Sequence, residues 1–540
     1  MTTNAGSSAD QQPRVQLFSR ASSGLIRELS LTDTVWYGVF SGGALFGFVY
    51  LFPTPQYVSP GINIPLMLLL TLVYGTVIYF VYAALGSAMP RAGGDYLYES
   101  RSLHPLVGFT VPWACQLLFW LTFPPAGAYV LGTFGLVPIA QAANAPGVVS
   151  WLDSKNGIFI VSAVIVVVCW MLTILGLHIY RRVQRFVLVP GLVISFLTII
   201  GLLLANLGTN FRHDFDTYQH PALTTQQVAA AATKAGFQPV GLNLGHTLIW
   251  IAVLAAYIPY SMYSAQGLLG EVKGARSLNR LYLTFLVGGI ILALVLLALP
   301  FALISHIAGS NFLDQYAWAY GAGLIHPSYL PNIGVFLSML TSNPVVVSLV
   351  ALGFIVGGFA IANVVFVNSA RVMMAMGLDR TLPTLFADVS ERYHTPVKAA
   401  TLWSVCALGV SAVFAYVPNW LTIVLISGAI ASVIVVGVTC VAAVVFPFRA
   451  PEIYRASPCS RYKLGPVPLI SVMGAIGTVA TGLLTWVALF NSAIGLTSTS
   501  AHAVIGGAFG TGLIVYVAVR LYRRREGVDT SLTFRYVPPE

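Results

Sequence analysis

From Thr34 to Phe52 the chain reads TVWYGVFSGGALFGFVYLF. A bilayer-crossing helix needs about 20 consecutive, mostly apolar residues, and this stretch has that length. It also carries Gly38, Gly42, Gly43 and Gly47, the residue type that most weakens a helix interior. A break at mid-depth frees backbone N–H and C=O groups for a ligand. Such groups are tolerated in a membrane only where protein buries them or a wet cavity meets them. Small residues also let a neighbouring helix approach closely, and the segment alone leaves both readings open.

The rest of the chain has the same character. Of 540 residues, 57% are apolar and 8% charged, against roughly 25% charged in a soluble domain. The mean hydropathy is +0.82. An all-α polytopic membrane protein is the class that fits. Met1 to Glu28 is polar with no apolar core, so it reads as a cytosolic tail and not a secretory signal. Cys115, Cys169, Cys406, Cys440 and Cys459 show neither zinc-site pairing nor a disulfide framework.

Runs of apolar residues predict twelve transmembrane helices, near 34–52, 64–85, 108–134, 157–177, 187–207, 244–269, 281–304, 345–367, 399–416, 420–446, 469–493 and 503–521. With a cytosolic N-terminus, 24 of the 27 Lys and Arg residues fall in inner segments; Lys155, Arg212 and Lys234 are the three outside. That asymmetry predicts both termini in the cytosol. It also accounts for the net charge of +10 without a nucleic-acid partner. Two outer connections, Gly208 to Asn243 and Ser305 to Pro344, are long enough to form a cover or to serve as tethers.

None of the 17 acidic residues sits near the centre of a predicted span. Proton pumps and voltage sensors carry intramembrane ionisable groups, so those classes are disfavoured. There is no filter-like loop for a channel, and no HExxH pattern or paired buried Asp for an enzyme. Solute transport survives, with a substrate held by something other than a side-chain ion pair. Half-helix ends supply it: free N–H groups carry about half a positive charge and free C=O groups the opposite. The first span has its Gly-rich break. The sixth has Ile258-Pro259-Tyr260-Ser261, where proline removes a backbone donor. Matching breaks in corresponding spans point to a transporter site. Pro124-Pro125 in the third span has no partner break and reads as a bend.

Three further motifs carry a resemblance. They are Ser369-Ala370-Arg371, Met374-Ala375, Asp379-Arg380, Leu382-Pro383 and His394-Thr395-Pro396 after the eighth span; Pro90-Arg91-Ala92-Gly93-Gly94-Asp95-Tyr96 after the second; and Gly270-Glu271-Val272-Lys273 after the sixth. In order, over about residues 28 to 495, they resemble the amino acid–polyamine–organocation (APC) superfamily of permeases. The resemblance implies a LeuT-like fold of 5+5 inverted repeats, about 29–207 and 244–446, within a core at 29–467. Two peripheral helices at 468–521 and a cytosolic tail at 522–540 would follow.

It further implies a plasma-membrane permease or exchanger for amino acids, neutral or apolar ones, that is not an enzyme. Ser41, Gly42 and Gly43 would donate N–H groups to a carboxylate, and carbonyls of Ile258, Pro259, Tyr260 and Ser261 would receive the amine. The run at 41–43 departs from the family's usual Gly-x-Gly, and Pro-Tyr-Ser replaces its Phe-x-Gly. Asn363 is the candidate coupling residue, and Arg371, Gly93, Gly94 and Glu271 are structural. No metal or cofactor is implied; coupling to a proton or Na+, or simple exchange, stays open. The expected partners are the amino acid and the lipid bilayer, with the chain a monomer or weak homo-oligomer. Trp113, Trp120, Trp250, Tyr257, Tyr260 and Tyr263 are candidate pocket aromatics, Tyr260 foremost because it adjoins the break. The alternatives are a permease for another small amine or nucleobase-like solute, and a transport-dead amino-acid sensor.

Overall fold

The computed structural model describes residues 25–120, 123–219, 223–327, 332–417, 420–491, 499–527 and 533–534. For residues 49–50, 119–120, 219, 256, 260–263 and 420–426 it describes the backbone alone. Most of the expected tails at 1–28 and 522–540 lies outside the described residues.

Among these residues, eleven helices are long and apolar enough to cross a membrane. The protein is an all-α polytopic membrane protein. The first apolar segment is absent from the eleven because it is not one helix. It divides into α1 (Leu31–Ser41), a 3-10 turn (Ala44–Gly47) and a short helix (Phe48–Leu51). After it come α2 (Ile64–Ala88), a short, wholly buried α3 (Asp95–Ser102) and α4 (Pro105–Ala142). Next are α5 (Lys155–Ile174), α6 (Leu177–Ala205), α7 (Leu244–Glu271), α8 (Leu278–Ala308) and α9 (Pro344–Leu378). The last are α10 (Val397–Tyr416), α11 (Trp420–Arg449), α12 (Leu469–Phe490) and α13 (Thr499–Arg525).

Local chemistry sets the ends of α1. Ser30 and Asp33 form a capping box: Asp33 N–H donates to Ser30 Oγ at 3.2 Å, and Ser30 N–H donates to Asp33 Oδ2 at 2.9 Å. Arg185 of α6 grips the same carboxylate at 2.6 and 2.7 Å, tying the start of α1 to its neighbour. Just before α1, Leu29 pairs with Val272, so the chain entering α1 is zipped to the chain leaving α7. Lys273 N–H donates to Leu29 O, and Leu29 N–H to Glu271 O.

The core is centred on α1, α2, α7 and α9. The 35-residue α9 packs on α4, α6 and α1, and α2 packs on α7 and α8. By contrast, α12 presents Val479, Leu483, Trp486 and Phe490 outward, and α5 presents Val164 and Met171. Apolar residues exposed in rows on outer helices are what a lipid-facing rim requires. The expected bend at Pro124-Pro125 falls inside a helical stretch, Phe123–Val130, flanked by π-helical turns at Gln116–Trp120 and Leu131–Leu136. Pro259 likewise lies within the helical stretch Ile251–Tyr263.

Candidate functional site

The break in the first segment is where the glycines place it. Gly43 sits at φ +64° and Ala44 at +48°, in the left-handed region that few residues other than glycine occupy. The backbone of α9 presses on this point. A Cβ on Gly357 would lie 2.4 Å from the Gly43 carbonyl oxygen, so a small residue is required there. Both early readings of the glycines therefore apply, since they open the helix and admit a neighbour.

The polarity of the break differs from expectation. The N–H groups of Gly42 and Gly43 are not free: they donate to Gly38 O at 3.1 Å and Phe40 O at 2.8 Å, closing the last turn of α1. A helix's last residues use their N–H groups and leave carbonyls over, whereas the next helix begins with orphan donors. The donors on offer are therefore those of Ala44 and Leu45, at the start of the 3-10 turn, and not those of Ser41, Gly42 and Gly43. The Gly42 carbonyl accepts a hydrogen bond from the Tyr257 hydroxyl of α7.

In α7 the change of winding comes later than proposed from sequence. Ile258, Pro259, Tyr260 and Ser261 are helical, and the α-ladder gives way to a 3-10 segment at Ser264–Glu271. Pro259 itself has no N–H to give to the carbonyl of Ala255, one turn earlier. The helix absorbs that loss without unwinding. Gly267 and Gly270, inside the 3-10 stretch, are the sequence signal that marked the true place. The side chains of Tyr260 and Ser261 lie outside the described residues, and Tyr257 is the aromatic that meets the break.

The two irregular points touch. The Ser264 hydroxyl donates to Ser41 Oγ at 2.6 Å, with both residues buried. Phe46 stacks on Tyr257 at 6.2 Å between centroids, closing the apolar wall beside them. Removing the Tyr257 hydroxyl (Tyr257→Phe) leaves the buried Gly42 carbonyl without its donor. The loss is expected to be about 1–3 kcal/mol, read as a lowered unfolding midpoint of the purified protein. A midpoint equal to that of the wild type would remove this contact from the account.

Asn363 is not joined to the junction. It is completely buried on α9 beside the Cys169 thiol of α5, and neither of its amide atoms bonds to Ser41, Gly42 or Gly43. The structural motifs, by contrast, converge. Arg371 Nε donates to Glu271 Oε1 at 2.9 Å, with both side chains 2% exposed or less. A Cβ on Gly93 would meet Ala375 of α9, and one on Gly94 would meet Gln266 of the 3-10 segment. The loop after α2, the end of α7 and the end of α9 thus form one buried block. A second ion pair, absent from the sequence reading, holds it: Arg101 Nη1 and Nη2 donate to the Asp379 carboxylate at 2.5 and 3.0 Å, and Tyr96 donates at 2.9 Å.

Two larger cavities, of about 480 and 690 Å³, lie elsewhere. One is lined by Arg101, His104, Arg449 and Arg520, the other by Gln141, His213, Asp214 and Ser342. Neither touches the helix breaks.

A family model described as "Amino acid permease" matches residues 35–517, most of the chain. The chain belongs to the amino acid permease family. This permease is accordingly a transporter of amino acids and not an enzyme. The match spans the interrupted first segment, the Arg371–Glu271 pair and the Ser41–Ser264 contact alike. None of the curated proteins compared matches this permease.

Proposed function

We propose that the permease is a secondary transporter carrying neutral or apolar amino acids across the cell membrane by alternating access. The observation that carries this reading is the contact of Ser264 with Ser41, at which two irregular points of apolar segments meet inside the protein. The substrate carboxylate is bound by the N–H groups of Ala44 and Leu45, at the positive end of the second half of the first segment. Its ammonium is bound by the Ser41 and Ser264 hydroxyls and by carbonyls of α7 around them. The Gly42 carbonyl becomes available when Tyr257 releases it. Recognition of the backbone part of the substrate by peptide groups leaves an apolar side chain to the Phe46–Tyr257 wall. Alternating access takes the form of rocking between two halves of five spanning segments each, α1 to α6 without the short α3 and α7 to α11, with both termini cytosolic.

The test is counterflow of tritiated L-leucine into proteoliposomes preloaded with unlabelled L-leucine. Transient accumulation above equilibrium is expected. Binding without accumulation would identify a sensor instead. Neither binding nor accumulation with leucine and a panel of neutral amino acids, against a signal with an amine or nucleobase, would move the substrate class.

A further inference from the structure

We propose that Glu99 holds an exchangeable proton, in a chain Glu99–Thr439–Asp95 that links α3 to α11 and, through Gln266, to the 3-10 end of α7. Thr439 Oγ1 lies 2.9 Å from Asp95 Oδ1 and 3.1 Å from Glu99 Oε1. A hydroxyl has one proton to donate, and an ionised carboxylate only accepts. Both contacts are hydrogen bonds only if one of the two carboxyl groups brings a proton of its own.

The surroundings decide which. Asp95 receives donors from Tyr82 at 2.7 Å and Gln266 Nε2 at 2.6 Å besides Thr439, which favours its charged form. Glu99 is completely buried; among the described residues its carboxyl group has Thr439 as its one hydrogen-bond partner, and its Oε2 has none. The proton therefore belongs on Glu99, which donates to Thr439 Oγ1 while Thr439 donates to Asp95. Transfer along the chain balances: the Glu99 proton moves to Thr439 as the Thr439 proton moves to Asp95. The result is an ionised Glu99 and a neutral Asp95.

No cation pairs with either carboxyl group among the described residues. Arg101, two residues beyond Glu99, is committed to Asp379. The other titratable groups facing the pair are Tyr82 of α2, Tyr98 of α3 and Cys440 of α11, with Tyr96 of α3 and Cys115 of α4 lining the cavity beside Asp95. Burial, and after it the Asp95 charge, pushes Glu99 well above the usual carboxyl range. Burial pushes Asp95 up to about 6 against the bonds from Tyr82, Thr439 and Gln266. Raised values mean that the folded protein holds protons the unfolded chain would release. Their stabilising effect is full below the ordinary carboxyl pKa and lost as pH rises through the raised ones.

A second feature supplies the far end of the path. Asp95 also lines a cavity of about 10 Å³, the size of one water. Gln116, Gln266 and Asn368 line it too, and each ends in a buried amide oxygen that accepts no hydrogen bond among the described residues. Three acceptors around one water-sized space call for a donor, which a water or a hydronium ion provides. The cavity also touches Gly267, three residues from the Ser264–Ser41 contact, so a proton at Asp95 sits beside the proposed substrate site.

The test is pH-difference infrared spectroscopy of the purified protein in H2O and D2O, which needs no substrate. A protonated-carboxyl band that shifts in D2O is expected at neutral pH, and its loss is expected in Glu99→Gln, whose amide still donates to Thr439. Thr439→Val, which removes the hydrogen-bond partner, should shift the frequency of the band. No such band at neutral pH, or one unchanged in both variants, would overturn the proposal. The consequence for transport rests on the function proposed above and is read separately, as tritiated L-leucine uptake into proteoliposomes. An outside-acid gradient should accelerate uptake by the wild type and leave Glu99→Gln without that acceleration. Leucine uptake that ignores the gradient overturns coupling through this proton. Absence of leucine uptake in either protein counts against the transport reading, while the infrared band still decides the proton site.

Discussion

Replacing Gly43 by valine is expected to abolish amino acid uptake while leaving the protein inserted in the membrane. Gly43 sits at φ +64°, a conformation in which a β-branched residue is a true outlier. A Cβ there would also come 2.7 Å from Phe46 Cβ and 3.3 Å from Ile361 Cδ1. The backbone must shift, and Ala44 and Leu45, the residues whose N–H groups are proposed to bind the carboxylate, shift with it. Strain of this kind costs about 1–3 kcal/mol, which is roughly one to two powers of ten in affinity. Gly42, at φ −78° and ψ 4°, has a conformation open to any residue, so the sharper substitution is at Gly43. Uptake, checked alongside the amount of folded protein recovered in detergent, reads the effect. Wild-type uptake by Gly43→Val would remove the break from the mechanism.

The largest stability effect is expected at the Arg371–Glu271 pair. Each side chain is almost fully enclosed, and Arg371 also donates to Val367 O at 3.4 Å. Cutting Glu271 back to leucine strands a guanidinium among apolar neighbours. Removing one partner of a buried pair typically costs about 3–5 kcal/mol, mostly through the uncompensated charge left behind. The double variant Glu271→Leu with Arg371→Met removes both charges and is expected to recover much of that loss. The unfolding midpoints of the wild type, the two single variants Glu271→Leu and Arg371→Met, and the double variant give the coupling directly. A single Glu271→Leu variant as stable as the double one would show that no charge is stranded.

Much of this architecture was legible from residue order. Apolar runs located every helix from Ile64 onward. The third and eighth, however, run on to Ala142 and Leu378 and the fifth begins at Leu177, eight to eleven residues beyond the apolar run, because a helix continues past the stretch that lipid requires. Gly43 located the first break, since backbone that turns left-handed there favours glycine. The direction of the break was misjudged. A peptide N–H belongs to the turn it closes, and which residues cap α1 depends on the geometry the chain adopts after Gly43. In the sixth span, Pro259 drew attention from Gly267 and Gly270. One proline costs a helix one hydrogen bond, and packing made that tolerable, whereas the run from Ser264 to Glu271 winds more tightly throughout. Asp95 and Glu99 are not legible in the sequence for another reason. They lie in a loop by hydropathy, and only the folding of α3 against α4 and α11 encloses them. Charged residues read as surface until the element that covers them is known.

The most direct test of the central claim is a thermal-shift comparison of the detergent-purified permease with L-leucine, with isoamylamine and with isocaproic acid. The three ligands share a side chain and differ in which charged groups they carry. A ligand that binds the folded state raises the midpoint by mass action. Peptide N–H groups at one break and carbonyl and hydroxyl oxygens at the other predict a rise with leucine that neither single-charge analogue matches, and that Gly43→Val loses. An equal rise with either analogue, or a leucine shift that survives in Gly43→Val, would contradict the account.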